Sequence, residues 1–145
     1  MTRVADRFEY WNVGSEAYER LLATKGALGA SGLSEQLVEL VFLRVSQING
    51  CRFCIAMHSA AARQAGASAE HIDGLAEWRG SRVFDAPERA ALAWAETVTL
   101  VEDVQGAAAQ KDRLLSHLTP QQLVDLTIAV GLMNALNRVA IFLGR

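Results

Sequence analysis

The sequence has only two prolines, and neither interrupts a helical pattern. They lie in the segments DAPE, Asp85 to Glu88, and TPQQ, Thr119 to Gln122. Each segment pairs a capping residue with an acid or amide three positions later, and this is the pattern of a helix start. Alternating apolar and polar residues, which are typical of strands, are also absent. The chain is therefore predicted to be all-α.

Basic runs are absent as well. The formal net charge is -2, and the 14 lysines and arginines are spread along the 145 residues. A nucleic-acid-binding protein needs a concentrated basic surface, and an anionic membrane surface attracts the same feature. Neither function is therefore expected.

A secretory signal is not recognisable in the N-terminal segment MTRVADRFEYWNV, which has no basic start followed by an apolar region. We therefore expect a cytoplasmic protein, in which thiols stay reduced. The chain has only two cysteines. In the cytoplasm, a close cysteine pair is more often redox-active or metal-binding than structural.

The most apolar segment, Leu123 to Gly144, has the length of a membrane span but contains Asp125, Asn134, Asn137 and Arg138. These polar groups favour a buried helix in the core or at a subunit interface. The composition is 51% hydrophobic, with a mean hydropathy of +0.14. One small core would not bury that much apolar surface, so self-association is expected.

The helix signals divide the chain into six or seven helices, with no repeat and no long linker, so one domain over residues 1–145 is predicted. Capping serines, glycines and the two prolines set the boundaries. The predicted helices are Ser15 to Leu28, Ser34 to Asn49, Cys51 to Gly66, a short one after Ser68 with HIDGLAEW, Pro87 to Asp103, Ala107 to Ser116, and Pro120 to Leu143.

Both cysteines lie at the start of the third predicted helix, in INGCRFCIAMHSA. At about 100° per residue, Cys51, Cys54 and His58 fall within an arc of about 60°. The helix N-terminus stabilises a thiolate, and His58 could accept its proton. Two cysteines at this spacing can also close a disulfide. The spacing alone leaves open which sulfur reacts first.

A carboxylate near this histidine is predicted on the preceding helix, which is apolar almost all round. If the two helices pair antiparallel about Asn49-Gly50, Glu39 and His58 differ in height by about 3 Å, and Glu35 lies a turn too far away. Burial would raise the pKa of Glu39 towards the range of a working base. The alternative is a structural ion pair with Arg44.

The segment ELVFLRVSQINGCRFCIAMHSAAARQAG, Glu39 to Gly66, resembles the active-site segment of AhpD-type alkylhydroperoxidases in the carboxymuconolactone decarboxylase-like superfamily. The shared pattern is E-x11-C-x-x-C-x-x-x-H. The resemblance extends to PERAALAWAETVT, Pro87 to Thr99, and to ALNRVAI, Ala135 to Ile141.

This resemblance implies an all-helical domain that assembles as trimers or hexamers, and a peroxidase whose cysteines cycle between dithiol and disulfide. It implies a Glu39 and His58 proton relay, attack on the peroxide by Cys54, and Cys51 as the resolving thiol. The reductant would be a lipoylated or thioredoxin-like protein, and no cofactor or metal is expected. One departure is Phe53, which stands where the best-known pattern has a histidine.

Other readings of the cysteine pair are a plain buried thiol pair or a zinc site. Zinc would take Cys51, Cys54 and His58, with Glu39 or His71 as a fourth ligand, but structural zinc usually draws on two separated pairs. The haem spacing C-x-x-C-H fails because Ile55 follows the second cysteine. A non-enzymatic redox sensor and a decarboxylase-type enzyme on the same fold remain alternative functions.

The remaining conspicuous side chains are interpreted as structural. Two histidines near predicted helix ends are expected outside the site, and three aromatic residues are expected to fill the core. Three polar residues on the last helix need partners, which we expect first at a subunit interface and second in the active site. The two histidines are His71 and His117, and the three aromatic residues are Trp78, Phe84 and Trp94. The three polar residues are Asn134, Asn137 and Arg138.

Overall fold

The computed structural model describes residues 8–145; residues 1–7, part of the N-terminal segment considered above, lie outside them. The described chain has helices and no strands, which confirms the all-α prediction. Its α-helices are α1 (Glu16–Ala27), α2 (Glu35–Asn49), α3 (Arg52–Gln64), α4 (Ala69–Asp73), α5 (Ala86–Leu100), α6 (Ala107–Leu115) and α7 (Pro120–Leu143). Short 3-10 helices cover Tyr10–Asn12, Leu28–Ser31 and Leu75–Gly80.

The predicted capping residues begin the helices as the sequence indicates. Each cap side chain accepts a hydrogen bond from a backbone N–H in the first turn, which would otherwise have no partner. Both proline-containing segments form complete capping boxes. The cap contacts are Ser15 to Tyr18, Ser34 to Leu37, Asp85 to Glu88, and Thr119 to Gln122.

Helix α2 is the centre of the fold, because it packs against α3, α5 and α7. Its middle is buried on every side, as its nearly continuous apolar sequence predicts. The buried residues of α2 are Leu37, Val38, Glu39, Leu40, Val41, Phe42, Leu43, Val45 and Ser46.

The turn between α2 and α3 sets the geometry of the cysteine segment. Gly50 has φ of 71° in the left-handed region, and its N–H bonds to the carbonyls of Gln47 and Ser46. The next residue, Cys51, donates its own N–H to the Ser46 carbonyl at 3.1 Å. The chain therefore reverses within two residues, and α3 starts beside the end of α2.

Helix α7 is long and apolar enough to span a membrane. The mean hydropathy of its most apolar 18-residue window is 1.7, and 39% of that window is buried inside the fold. Its inner face packs on α2 and α5 through Leu126, Val130 and Met133. Asn134, Asn137 and Arg138 find partners within the chain, as described below. These contacts are those of a core helix.

Two predicted boundaries differ from the structure. The helix expected after Ser68 is divided into α4 and the 3-10 helix Leu75–Gly80, because Gly74 ends the first piece. Helix α5 stops at Leu100, three residues earlier than predicted, where Val101 adopts a left-handed conformation with φ of 52°.

The aromatic residues pack as predicted. Trp78 and Phe84 are buried in a cluster around Leu75, and Trp94 packs against the main core while its indole N–H donates to Thr127 at 2.9 Å. The Trp78 indole N–H donates to Glu96 at 2.9 Å. None of these rings therefore needs a ligand to explain its position.

Candidate active site

Cys51 and Cys54 are joined by a disulfide, and their Cα atoms are 5.2 Å apart. The spacing of the two cysteines in the sequence permits this bond. Cys51 is the N-cap residue of α3, and its sulfur accepts the Cys54 N–H at 3.4 Å. The two residues are only 2% and 3% exposed, and they pack against Phe53 and Ala140. The disulfide is thus a buried group at a helix N-terminus, where reduction would yield a stabilised thiolate.

His58 lies one turn beyond Cys54 and contacts the predicted carboxylate. Its Nδ1 and the Glu39 Oε2 are 2.8 Å apart, and the two residues are 1% and 2% exposed. The antiparallel pairing of α2 and α3 places them opposite each other, as their calculated heights predicted. Glu39 therefore fixes the orientation of the imidazole.

The alternative partner of Glu39 is excluded by the structure. Arg44 points to the other side of α2, where its Nε lies 3.0 Å from Glu96. Glu96 also accepts a hydrogen bond from Arg79 at 2.7 Å. The proposed structural pair of Glu39 with Arg44 was therefore wrong.

Sequence reasoning missed the second partner of Glu39. Lys25, in the last turn of α1, places its Nζ 3.0 Å from Glu39 Oε1, and 49% of the lysine side chain is exposed. Its ammonium also lies 5.6 Å from the centre of the Phe42 ring. Nothing in the sequence reveals this contact, because it depends on how α1 docks on α2.

This lysine changes the expected ionisation of Glu39. Burial raises the pKa of Glu39, but hydrogen bonds from His58 and Lys25 and their positive charges oppose burial and lower the pKa below its ordinary value. The expectation of a raised pKa was wrong because it counted burial without the hydrogen bonds from His58 and Lys25. Glu39 is consequently a carboxylate at neutral pH, and its Oε2 can accept a hydrogen bond from His58 Nδ1.

A cavity of about 150 Å³ adjoins the disulfide. His58 lies in its wall, and the buried Nε2 of His58 has no hydrogen-bond partner within residues 8–145. Cys54 also borders the cavity. The full lining is Tyr10, Tyr18, Leu22, Phe53, Cys54, Met57, His58, Met133, Leu136, Ala140 and Arg145.

A second cavity, of about 450 Å³, reaches Glu39 from another direction. Lys25, Glu39 and the exposed Glu35 lie in its wall, together with apolar residues of α1 and α2. The hydrogen-bonded pair of Glu39 and His58 therefore stands between two cavities, with one residue facing each.

The polar residues of α7 hold the α2–α3 turn rather than facing the cavity. Asn137 is fully buried and donates to the Ser46 hydroxyl at 3.0 Å. Asn49 donates to Asn137 at 3.1 Å and to Asn134 at 2.9 Å. Arg138 is exposed and bonds to Asn134 of its own helix. No subunit interface is needed to satisfy these groups.

The other histidines lie outside the site, as predicted. His71 bonds to Ser68 and has its Nε2 3.4 Å from Glu88. His117 is exposed after α6. His71 is therefore not the fourth zinc ligand considered above, and residues 8–145 contain no cluster of three or more metal-ligating side chains.

Comparison with known proteins identifies the family. The model of the carboxymuconolactone decarboxylase family matches residues 15–97, which include α1, α2, α3 and most of α5. The uncharacterized protein YdfG of Bacillus subtilis is 30% identical over 141 residues, 97% of this chain and 96% of that protein. The uncharacterized protein YnjA of Escherichia coli is 32% identical over 104 residues, 72% of this chain and 57% of that protein.

Two crystal structures share the fold. A protein of unknown function from Agrobacterium tumefaciens, for which the role of the antioxidant defence protein AhpD has been suggested, gives a TM-score of 0.85 at 33% identity, covering 94% of this chain and 93% of its own. An uncharacterized peroxidase-related protein from Silicibacter sp. TM1040 gives a TM-score of 0.75 at 28% identity. The match covers 86% of this chain and 66% of that protein's chain. This chain belongs to the carboxymuconolactone decarboxylase family and has the AhpD-like fold.

Proposed function

We propose that this protein is a thiol peroxidase that reduces organic hydroperoxides through a dithiol–disulfide cycle of Cys51 and Cys54. The observation that carries the proposal is the position of Cys54 and His58 in the wall of one largely apolar cavity. The thiol and the imidazole can therefore reach the same bound molecule.

Cys54 is the attacking thiol in this proposal because it borders the cavity, whereas Cys51 is not part of the lining. The Cys54 thiolate attacks one peroxide oxygen, the O–O bond breaks, and the alcohol leaves as a sulfenic acid forms on Cys54. The Cys51 thiolate then attacks that sulfur, which forms the disulfide and releases water. In sum, one hydroperoxide oxidises two thiols.

His58 moves the protons in these steps. Its Nε2 has no hydrogen-bond partner within residues 8–145, so it can take the thiol proton and then give it to the departing alkoxide. The carboxylate of Glu39, 2.8 Å from Nδ1, stabilises the imidazolium between the two transfers. Phe53 supplies no second proton carrier, so the proposed relay consists of His58 and Glu39.

The cycle requires an external dithiol reductant, since the disulfide must be reduced after each turnover. A lipoylated or thioredoxin-like protein would supply the electrons in the reducing cytoplasm. The buried sulfurs favour a slender dithiol group that can enter the cavity. We further propose a homo-oligomer, a trimer or a hexamer, in line with the resemblance.

The test is steady-state peroxide consumption with dihydrolipoamide as the reductant. We expect turnover by the wild type and none by C51S or C54S, with wild-type protein alkylated at both thiols as a further blank. Oxidation of the cysteines without turnover would favour the redox sensor. Undiminished consumption by both variants would exclude the cycle and favour chemistry that does not need the cysteines.

A further inference from the structure

The cavity beside the disulfide contains one permanently charged side chain. Arg145 lies in its wall and is exposed, whereas Cys54 and His58 are buried at 3% and 1% exposure. The cavity therefore has a positive group towards solvent and the reactive thiol at its buried end. The walls between are apolar, with Leu22, Met133 and other nonpolar residues.

The guanidinium of Arg145 is held in a defined place. Its central carbon lies 4.1 Å from the ring centres of both Trp11 and Phe53. Rings above the faces of a guanidinium leave its in-plane N–H donors available, and the stacking reduces its hydration. No carboxylate within residues 8–145 forms an ion pair with it. One hydrogen bond of the guanidinium goes to the Tyr10 hydroxyl. Its remaining donors are available to an anion.

Two phenol groups adjoin this positive group. Tyr10 and Tyr18 both line the cavity, with their rings 5.4 Å apart in an edge-to-face arrangement. Burial, and then Tyr18, raise the pKa of the Tyr10 phenol against the opposing effect of Arg145. Tyr10 is thus protonated at neutral pH and can donate a hydrogen bond.

We propose that this cavity selects hydroperoxides that carry a carboxylate, with Arg145 as the carboxylate-binding residue. The proposal rests on the peroxidase function above. The carboxylate would bond to the guanidinium, and the peroxide group would reach Cys54 at the other end. A guanidinium matches the two oxygens of a carboxylate through parallel hydrogen bonds. The volume of about 150 Å³ favours a short carbon chain.

The test compares two probes, 3-hydroperoxy-3-methylbutanoate and its methyl ester, which is neutral and larger by one methyl group. The rate constant for thiol oxidation of the reduced protein is measured with each at low salt. We expect the acid to react about tenfold faster than the ester, which corresponds to one charge-assisted contact. In R145Q the ratio should fall to about one or below, and R145K should keep part of it.

R52Q is the matched control, because Arg52 is an exposed arginine next to Phe53 that is not part of the cavity lining. It changes the net charge by the same amount and should keep the wild-type ratio. A wild-type ratio near one, or an equal fall in R52Q and R145Q, would overturn the carboxylate proposal while leaving the peroxidase intact. Failure of both probes to oxidise the thiols would overturn both proposals.

Discussion

At the residue scale, the site depends on how one buried carboxylate is kept ionised. Glu39 lies between His58 and Lys25, with its two oxygens 2.8 Å and 3.0 Å from their nitrogens. A buried carboxylate without such partners would take up a proton. The two partners keep it charged, and it can then hold a positive imidazole beside the cysteines.

Replacing Glu39 by glutamine should slow the oxidation of the cysteines. The amide keeps the size of the side chain but removes the charge that stabilises the protonated His58, so we expect a loss of roughly 10- to 100-fold in the rate with cumene hydroperoxide. Stopped-flow measurement of thiol loss gives this rate. E35Q is the control, since Glu35 is exposed on the same helix and does not contact His58. Equal rates for E39Q and E35Q would remove Glu39 from the relay.

Replacing Lys25 by methionine should change the pH dependence of the same reaction. The ammonium lowers the pKa of Glu39, so its loss raises that pKa and Glu39 takes up a proton at higher pH. On acidification, the rate of K25M should therefore begin to fall at a higher pH than that of the wild type. K25R, which keeps the charge, should follow the wild-type profile. Superimposable profiles of K25M and wild type would show that Lys25 has no influence on the relay.

The same contact affects stability with a defined sign. The pKa of Glu39 is lower in the folded protein than its ordinary value. Its ion pairs therefore stabilise the fold above the unfolded-state pKa, and this stabilisation is lost as the pH falls through the folded-state pKa. The difference in thermal stability between wild type and K25M should accordingly shrink on acidification.

The sequence predicted Cys51, Cys54, His58 and Glu39 as one group because all four lie on two helices joined by a two-residue turn. Local geometry determines their distances, so helical periodicity was sufficient. Lys25 and Arg145 come from opposite ends of the chain. Their positions depend on how α1 and the end of α7 pack, and no short-range pattern encodes that packing.

At the scale of elements, the α2–α3 hairpin carries the site, and Gly50 makes it possible. Gly50 has φ of 71°, which L side chains rarely adopt, although a Cβ there would meet no atom within 4 Å. G50A should therefore lower the free energy of unfolding by about 1–2 kcal/mol through backbone strain alone.

The matched control for G50A is G26A in helix α1, where a Cβ also meets no atom within 4 Å and φ is not positive. There alanine should raise the free energy of unfolding by about 0.5–1 kcal/mol. Urea denaturation of the reduced proteins measures both values. A neutral or stabilising G50A would contradict the assigned role of the turn.

The element boundaries show where sequence reasoning works and where it fails. The caps at Ser15, Ser34, Asp85 and Thr119 were predictable because each rests on a side chain and a backbone N–H three residues away. The early end of α5 at Leu100 was not predictable, because no sequence signal indicates that Val101 adopts a left-handed conformation. The surrounding structure must impose that conformation.

At the scale of the whole molecule, α7 presents apolar side chains to solvent opposite its buried face. Val124, Ile128 and Phe142 are 59%, 47% and 81% exposed. Ile128 follows Val124 by four residues, and Phe142 follows Ile128 by fourteen, so all three lie on one side of the helix. The exposed Arg138 lies between Ile128 and Phe142 on the same side. Because exposed apolar side chains are typical of interfaces, we propose this side of α7 as a contact surface for the self-association expected from the composition.

Placing a charge on this side of α7 should reduce assembly. We expect the double variant I128E and F142E to have a smaller mass than wild type in light scattering at the same concentration, because two carboxylates would have to be desolvated in the interface. V101E is the control, since Val101 is 75% exposed in the loop after α5. Identical masses for all three proteins would show that this face of α7 is not an interface.

The most direct test of the peroxidase is a single exposure of the reduced protein to cumene hydroperoxide, followed by thiol counting, peroxide assay and intact mass. A peroxidase with this dithiol pair should show fast loss of both thiols, consumption of one equivalent of peroxide, and a mass lower by two hydrogens than that of the reduced chain. Thiols that survive, in a protein shown by its mass to be fully reduced at the start, would contradict it.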